Sequence, residues 1–362
     1  MKTLKYSWLL IIFISLFSVI PLNAQELHPA TSEKVDSEEH SETEFNASEF
    51  IVEHVSDSHE WHILTKKNGE SVALYLPVIL YDREKGLSLF SSKKLAHGHV
   101  HNGYMLAEEG DLKGKIVSVN DDGTVNEENI PLDFSITKAI VGMLAAVIIG
   151  LFLFISMARS YKRSGICPPK GLQSFLEPVI LFVRDDIAIA NLGIHKYEKY
   201  MPYLLTVFFF ILINNLMGLV PFPPPFGASV TGNVNVTFVL ALCTFLIVQF
   251  SGNKNYWKHI FATPGVPFWL LPIMIIVELI GLISKPFALM IRLFANITAG
   301  HIIVLSLVCL IFIFETVAVA PVSIAFVIFM DCLELLVAFL QAYIFTLLSS
   351  LFISMAMPEE HH

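Results

Sequence analysis

Charge is what this sequence has least of. Only 15% of its 362 residues are Asp, Glu, Lys or Arg, and 54% are hydrophobic. Soluble domains carry roughly 25% charged residues. With a mean hydropathy of +0.65, the chain is not water-soluble along its whole length. A basic excess is also missing. The formal net charge is −9, which argues against a nucleic-acid binder, since phosphate neutralisation needs clustered Lys and Arg. Cysteine is sparse. None of the four lies between residues 25 and 135, so no disulfide framework stabilises that region and no paired Cys spacing marks a metal site. Cys243, Cys309 and Cys332 sit in apolar runs, as small membrane-core residues do. No GxxxxGK[ST] phosphate loop occurs, so nucleotide chemistry of that kind is not expected on this chain. With 19 Gly and 18 Pro, the composition excludes collagen-like repeats.

The acid that is present sits in one place. Residues 25–135 hold 22 Asp+Glu against 9 Lys+Arg, and eight of the thirteen histidines. Residues 136–362 hold 10 acidic against 12 basic residues. Ahead of both, residues 1–24 have the layout of a secretory signal: basic Lys2 and Lys5, an apolar core at 8–20, and small Ala24 before Gln25. An uncleaved anchor is the alternative; either delivers the next domain to the outer side of a membrane. Residues 25–48 are Glu/Ser/Thr-rich and read as acidic and disordered. Residues 49–134 read as a small exported β-rich domain, with strand-like runs at 71–80, 86–90 and 115–119 between turns such as Asn68-Gly69 and Asp122-Gly123. His54, His59 and His62, and again His97, His99 and His101, form clusters. Either set is able to bind a metal; without companion Cys or fixed carboxylates the reading preferred is polar surface, with no metal assigned.

Residues 135–362 read as an all-α polytopic membrane domain. Residues 136–157 supply one span of the ~20 residues that a ~30 Å core requires. Arg159, Lys162 and Arg163 come next, the basic cluster expected on the cytoplasmic side. Residues 171–199 mix apolar and charged positions, as an amphipathic helix at the interface does. Two further spans lie at 201–220 and 234–250, and Lys254, Lys258 and His259 again mark the inside. Two longer runs close the chain. Residues 267–314 would extend about 72 Å as one helix and residues 321–356 about 54 Å, at 1.5 Å per residue. The first is therefore either two spans broken at Ser284-Lys285-Pro286 or a strongly tilted helix.

Ionisable residues inside a bilayer cost about 2.5–3.5 kcal/mol each on insertion scales, and they point to function. This last third contains Glu278, Lys285, Arg292, His301, Glu315, Asp331 and Glu334, with Asn296 and Gln341. Glu315 falls in a link, and Lys285 is able to snorkel to an interface. Ala288, Arg292, Ala295 and Ala299 share one helical face, so a partner helix can approach Arg292 closely and offer it a carboxylate. Folding the last two helices back about the 315–321 link brings His301 to Glu334 and Arg292 to Gln341. A His beside a carboxylate in a membrane suits a proton relay; a structural ion pair is the alternative. Arg292 and His301, nine residues apart, fall on opposite faces of an ideal helix. Glu278 lies about 21 Å from Arg292 along the axis, which favours two separate polar inlets over one pore.

The run Ser284-Lys285-Pro286, Leu289-Met290-Ile291-Arg292-Leu293-Phe294-Ala295-Asn296 and Ala299-Gly300-His301 resembles the signature of subunit a of bacterial F-type ATP synthases. So do Leu340-Gln341-Ala342-Tyr343-Ile344-Phe345, Asn215-Leu216-Met217-Gly218-Leu219-Val220-Pro221 and Asn233-Val234-Asn235-Val236-Thr237. The resemblance implies five crossing helices plus the interfacial helix, the last two long and tilted as a hairpin. It implies that Arg292 is the essential stator arginine facing a rotating c-subunit ring. Half-channels would run through Asn296, His301, Glu334 and Gln341 on the outer side and near Glu278 on the inner side. Asn214, Asn233, Asn235 and Lys285 are further lining candidates. Partners would be the c-ring, the peripheral-stalk b subunits, the rest of the synthase and the lipid bilayer; no cofactor is implied. The setting would be the bacterial inner membrane, with the N-terminal domain outside and the C-terminus cytoplasmic. Some members of that family exchange the His301 and Glu334 residue types, and some carry Asp at the positions of Gly218 and Asn233. Residues 25–133 lie outside the resemblance. A sodium-coupled version of the same machine is an alternative. A secondary ion transporter is another, although the internal repeat it would need is absent.

Overall fold

The structure is a computed structural model that describes residues 47–65, 71–83, 85–107, 112–120, 124–126, 129–164, 171–220, 224–261, 266–314 and 319–357. The signal-like segment 1–24 and residues 25–46 of the acidic segment lie outside the described residues.

The N-terminal region opens with helix α1 (Ala47–Val55) and continues in short strands. β1 (Glu60–Thr65) pairs antiparallel with β2 (Ser71–Tyr75). β3 (Pro77–Asp82) pairs with β4 (Gly86–Ser91), and later with β8 (Leu132–Asp133), giving a three-stranded sheet. β5 (Tyr104–Leu106), β6 (Ile116–Val119) and β7 (Val125–Asn126) form a third sheet. Period-two alternation places the core: Val78 and Leu80 of β3 are fully buried with Phe90, Tyr104 and Ile116. The run expected at 71–80 is two strands. Leu76 leaves the ladder between them, its N–H bonded to the His59 carbonyl and the Ser92 hydroxyl. Gly86 takes the left-handed conformation that the β3–β4 turn requires (φ 73°). Buried Asp82 accepts hydrogen bonds from the Tyr104 hydroxyl (3.2 Å) and the Asn129 amide (3.1 Å), so its charge is not left unsolvated.

The histidines are used singly. His59 contacts Asp133 at 2.9 Å. Burial alone would raise the Asp133 pKa; hydrogen bonds from His59 and Ser135, with the His59 charge, outweigh it and hold the carboxyl below its ordinary value. His101 meets Lys94 at 3.2 Å and packs edge-on against Phe90. Among the described residues no three His, Cys, Asp or Glu side chains come together as a metal set.

The remainder is helical. α2 (Lys138–Ser164) begins four residues after β8. α3 (Leu172–Phe182) continues through a π-helical turn (Val183–Ile189) to Leu192. Leu176, Val183, Ile187 and Leu192 are buried, while Phe175, Asp185 and Asp186 face out. Gly193, at φ 75°, stops this helix. The amphipathic stretch expected to run to 199 therefore ends seven residues early, at Leu192, and α4 (Tyr197–Leu219) already begins at Tyr197. α5 (Val234–Ser251), the short α6 (Lys254–Phe261), α7 (Leu271–Ile313) and α8 (Ala320–Met355) complete the chain.

Five helices among the described residues, α2, α4, α5, α7 and α8, are long and apolar enough to cross a membrane. The long run at 267–314 is not split. α7 is one helix of 43 residues with Pro286 inside it, and α8 has 36. Both are longer than an upright helix needs to cross a ~30 Å core. In the turn before Pro286 the Ser284 hydroxyl donates back to the Gly281 carbonyl (3.0 Å), as serine does inside helices. α8 packs back on α7 and on α4. The common core joins Leu204, Phe208 and Ile211 of α4 with Leu240 of α5, Leu289, Leu293 and Ile297 of α7, and Phe345 and Ile353 of α8.

Candidate functional site

The α7–α8 hairpin makes the pairing that fold-back symmetry anticipates. His301 Nδ1 lies 2.6 Å from Glu334 Oε1, with side-chain exposures of 17% and 7%. A carboxylate this enclosed needs a cation or a proton, and the imidazole is the group in contact. Gly300 makes room for the carboxylate, while Gly218 borders the imidazole at ordinary contact distance. A Cβ on Gly300 would stand 3.0 Å from Glu334 Oε1, and one on Gly218 would stand 3.6 Å from His301 Nε2. Asp331, one turn before Glu334 on α8, is exposed and within electrostatic reach of both members of the pair. Gln341, seven residues beyond Glu334, is buried at 4% exposure.

A polar layer from α4 and the α4–α5 loop adjoins this pair. Asn215 donates to the Ala338 carbonyl of α8 (3.1 Å) and accepts from the Thr231 hydroxyl (2.6 Å). Thr298 of α7 donates to the Gly232 carbonyl (3.5 Å). Asn214 is buried; its amide N–H bonds the Phe210 carbonyl (2.7 Å), and its Oδ1 accepts nothing from the described residues. Asn233 caps α5, accepting from the Asn235 N–H at 2.9 Å. That local role is what an N-cap Asn does. Asn235 contributes its backbone there, and its side chain is half-buried.

Arg292 stands on a different face. Leu289, Met290, Leu293 and Ile297 turn into the core, whereas Ala288, Arg292, Ala295, Asn296 and Ala299 are exposed. Among the described residues no carboxylate reaches Arg292 within ion-pair distance. A guanidinium on an open stripe of small residues, inside a helix apolar enough to cross a membrane, is suited to meeting an anion that approaches this face.

Glu278 is about 21 Å from Arg292 along the axis, near the opposite end of α7. It is half-buried, and His259 Nδ1 of α6 approaches it at 3.8 Å. Tyr256 of α6 lies close by. Burial pushes its hydroxyl pKa up, a hydrogen bond with Gln249 pulls it back, and the Glu278 charge adds to the rise. Thr244, Gln249, Tyr256 and Lys285 supply the polar lining of a cavity of about 20 Å³ between α5, α6, α7 and α8, room for about one water. Lys285 reaches the Phe352 ring (5.8 Å) while staying exposed.

The ATP synthase A chain family matches residues 140–354. The chain belongs to this family. ATP synthase subunit a of Chloroherpeton thalassium is 49% identical over 236 residues, which are 64% of this chain and 69% of that protein. Subunit a of Pelodictyon phaeoclathratiforme is 45% identical over 278 residues, 74% and 79% of the two chains. Subunit a of Myxococcus xanthus is 47% identical over 251 residues, 66% and 80%. Residues 50–134 match a family described as a domain of unknown function. As an F-type ATP synthase subunit a of bacterial type, the chain is a membrane component of the complex, not the place where ATP is made.

Several residues beside the site are not among the site candidates read from the sequence. Asn215 and Thr231 sit within or next to apolar spans, a signal that was available. Gly300 enters the sequence reading only as part of a motif and His259 only as a marker of the inner side, because their contacts depend on what packs against them.

Proposed function

We propose that this subunit is the stator proton channel of the synthase, passing protons through two offset half-channels to and from a rotating c-subunit ring. The observation that carries the proposal is the uncompensated Arg292 on its small-residue stripe. A ring carboxylate arriving there is the anion the face lacks. Beside the positive charge it releases its proton, and the same charge prevents protons from passing straight through. His301, Glu334, Asn296 and Gln341 form the outer half-channel, helped by Asn214 and the Asn215–Thr231 pair. Glu278 forms the inner one, with Lys285, Tyr256 and His259 at its mouth. Because the two mouths lie at different levels of α7, only rotation of the ring connects them, and proton flow becomes torque for ATP synthesis elsewhere in the complex.

In this reading the protein is a multi-pass component of the bacterial inner membrane. Residues 1–24 are a signal peptide, residues 25–48 an acidic segment and residues 49–134 an outer domain, with the membrane domain at 135–362. α3 lies along the cytoplasmic interface, and the peripheral-stalk b subunits hold the chain against rotation. The basic residues Arg159, Lys162, Lys254 and Lys258 lie at the ends that this orientation places inside. A tag after His362 is expected to be reachable only from the cytoplasm; labelling from outside overturns the orientation.

The carried ion is the proton. Histidine is the side chain best suited to passing protons on, and at position 301 it is a poor ligand for a hard cation that prefers oxygen. Inverted vesicles energised with ATP in sodium-free buffer are expected to acidify at the full rate. A rate that rises in proportion to added sodium identifies the sodium-coupled version instead.

A further inference from the structure

The domain at residues 50–134 is not a free appendage. Asp57, between α1 and β1, accepts from the N–H of Ala139 in the first turn of α2 (3.1 Å) and from the Thr137 hydroxyl (2.8 Å). It also receives the Asn233 amide at 3.5 Å, and Asn233 caps α5. One carboxylate therefore lies at the N-termini of two candidate membrane helices, where their dipoles favour negative charge. The Lys138 N–H donates to the Ser58 carbonyl and its ammonium to the His54 carbonyl. α1 packs on α7.

Beside Asp57, Trp61 of β1 is buried at 7% exposure in a cluster with Ala228 and Val230 of the α4–α5 loop. Val141 and Met143 of α2 and Val236 of α5 pack against it. Gly142 lets α2 come in close, since a Cβ there would stand 2.9 Å from Val230 Cγ2 and 3.1 Å from Ala228 Cβ. The far side of the same loop faces the proton-path residues. The Ala228 carbonyl and His301 Nε2 each lie 3.6 Å from the place a Cβ on Gly218 would occupy. Thr231 holds Asn215, and Gly232 receives Thr298. Loop 228–233 is thus one layer thick between the N-terminal domain and the His301–Glu334 pair.

We propose that the N-terminal domain clamps loop 228–233 in place as the wall of the outer half-channel, with Trp61 as the anchor and Asp57 as the positioning residue. The occupant of the loop's outward surface is the chain's own segment 57–61. The domain's function is to fix the geometry of the outer proton inlet. This rests on the half-channel reading of His301 and Glu334.

The test uses the whole synthase in native membranes, with Ser229→Cys as a reporter. The Ser229 hydroxyl is buried. A membrane-impermeant maleimide applied from the outer side, with modification of the residue-229 peptide tracked by mass, is expected to label the otherwise unaltered chain slowly. Labelling should rise at least tenfold, an order-of-magnitude expectation, with Trp61→Ala or Asp57→Ala, and return to the slow rate with Trp61→Phe, which keeps an aromatic plug. In membranes stripped of the soluble sector, passive proton conduction should fall about tenfold in the two alanine variants, as expected for mispositioned proton-transfer groups. Retention of the subunit in the membrane and unchanged hydrolysis by the released soluble sector show that assembly survived. If Trp61→Ala does not accumulate, Asp57→Ala decides. Equal labelling, or unchanged conduction in variants whose labelling has risen, overturns the clamp. A wild-type membrane sector that conducts no protons overturns the half-channel reading instead, and the labelling still reports on the clamp.

Discussion

Arg292→Ala is expected to abolish ATP-driven proton pumping and ATP synthesis, at least a hundredfold below wild type, while the soluble sector hydrolyses ATP as before. Inverted vesicles with a pH-sensitive dye, alongside a phosphate-release assay, measure both. The size of the effect comes from where the guanidinium stands. It is exposed on α7 beside Ala288, Ala295 and Ala299 and has no carboxylate partner among the described residues. Placing an unpaired Arg at mid-membrane costs about 2.5–3.5 kcal/mol, and the packing of α7 through Leu289 and Leu293 does not require it. The substitution therefore leaves the fold intact and even relieves a penalty. What it removes is the charge that draws a proton off each arriving ring carboxylate. One unit of pKa is worth about 1.36 kcal/mol, and an opposite charge in contact shifts a carboxyl by about 1–3 units, so loss of the cation keeps the ring carboxylates protonated. Arg292→Lys tests geometry against charge. Lys retains the positive charge but not the planar fork, and it is expected to recover only a small part of the activity. Normal pumping by the alanine variant would remove the basis for the proposed function.

How much of the fold and the site is legible in the sequence depends on what each feature needs. The spans come from hydropathy, and their lengths from the bilayer. The His301–Glu334 contact is legible because an antiparallel hairpin has one free parameter, its centre, and the 315–321 link supplies it. The stripe around Arg292 is legible from 3.6-residue periodicity. Other features depend on contacts between elements far apart in sequence. The break at Gly193 is a left-handed residue that no periodicity announces, since helical hydrophobic spacing continues past it. His259 reads in the sequence as a marker of the inner side, and its approach to Glu278 arises only when α6 folds against α7. Asp57 reads as one acid among many until residues 80 and more positions away present N–H and hydroxyl groups to it. The Asn233 side chain, read from the family pattern as channel lining, has a local partner in the Asn235 N–H. Capping is a short-range choice, and it competes with any longer-range role.

The second large effect concerns the relay. Glu334→Gln is expected to lower passive proton conduction through the stripped membrane sector about a hundredfold, the lower end of what removal of a general acid–base group costs. Gln keeps the volume and a carbonyl for the His301 side, so packing near Gly300 is preserved and the loss reads as chemistry. The opposite deletion is less clean. His301→Ala leaves a carboxyl group at 7% exposure without the side chain it contacts, and breaking a buried pair this way costs about 3–5 kcal/mol, enough to confuse conduction with stability. The informative variant is the double exchange, His301→Glu with Glu334→His. The two side chains meet across an antiparallel helix pair at 2.6 Å, so exchanging them returns the same two groups to the same gap. Gly300 leaves space beside position 334, the opening a ring there needs, and Gly218 borders position 301 at ordinary contact distance. If the pair works as a proton relay, the exchange should recover conduction to within about tenfold of wild type, as expected when both titrating groups are restored and only their orientation differs. A single exchange, with two carboxylates or two imidazoles facing each other, should not. If the pair is only a structural ion pair, Glu334→Gln conducts normally once its abundance in the membrane is matched to wild type, and the double exchange has nothing to rescue.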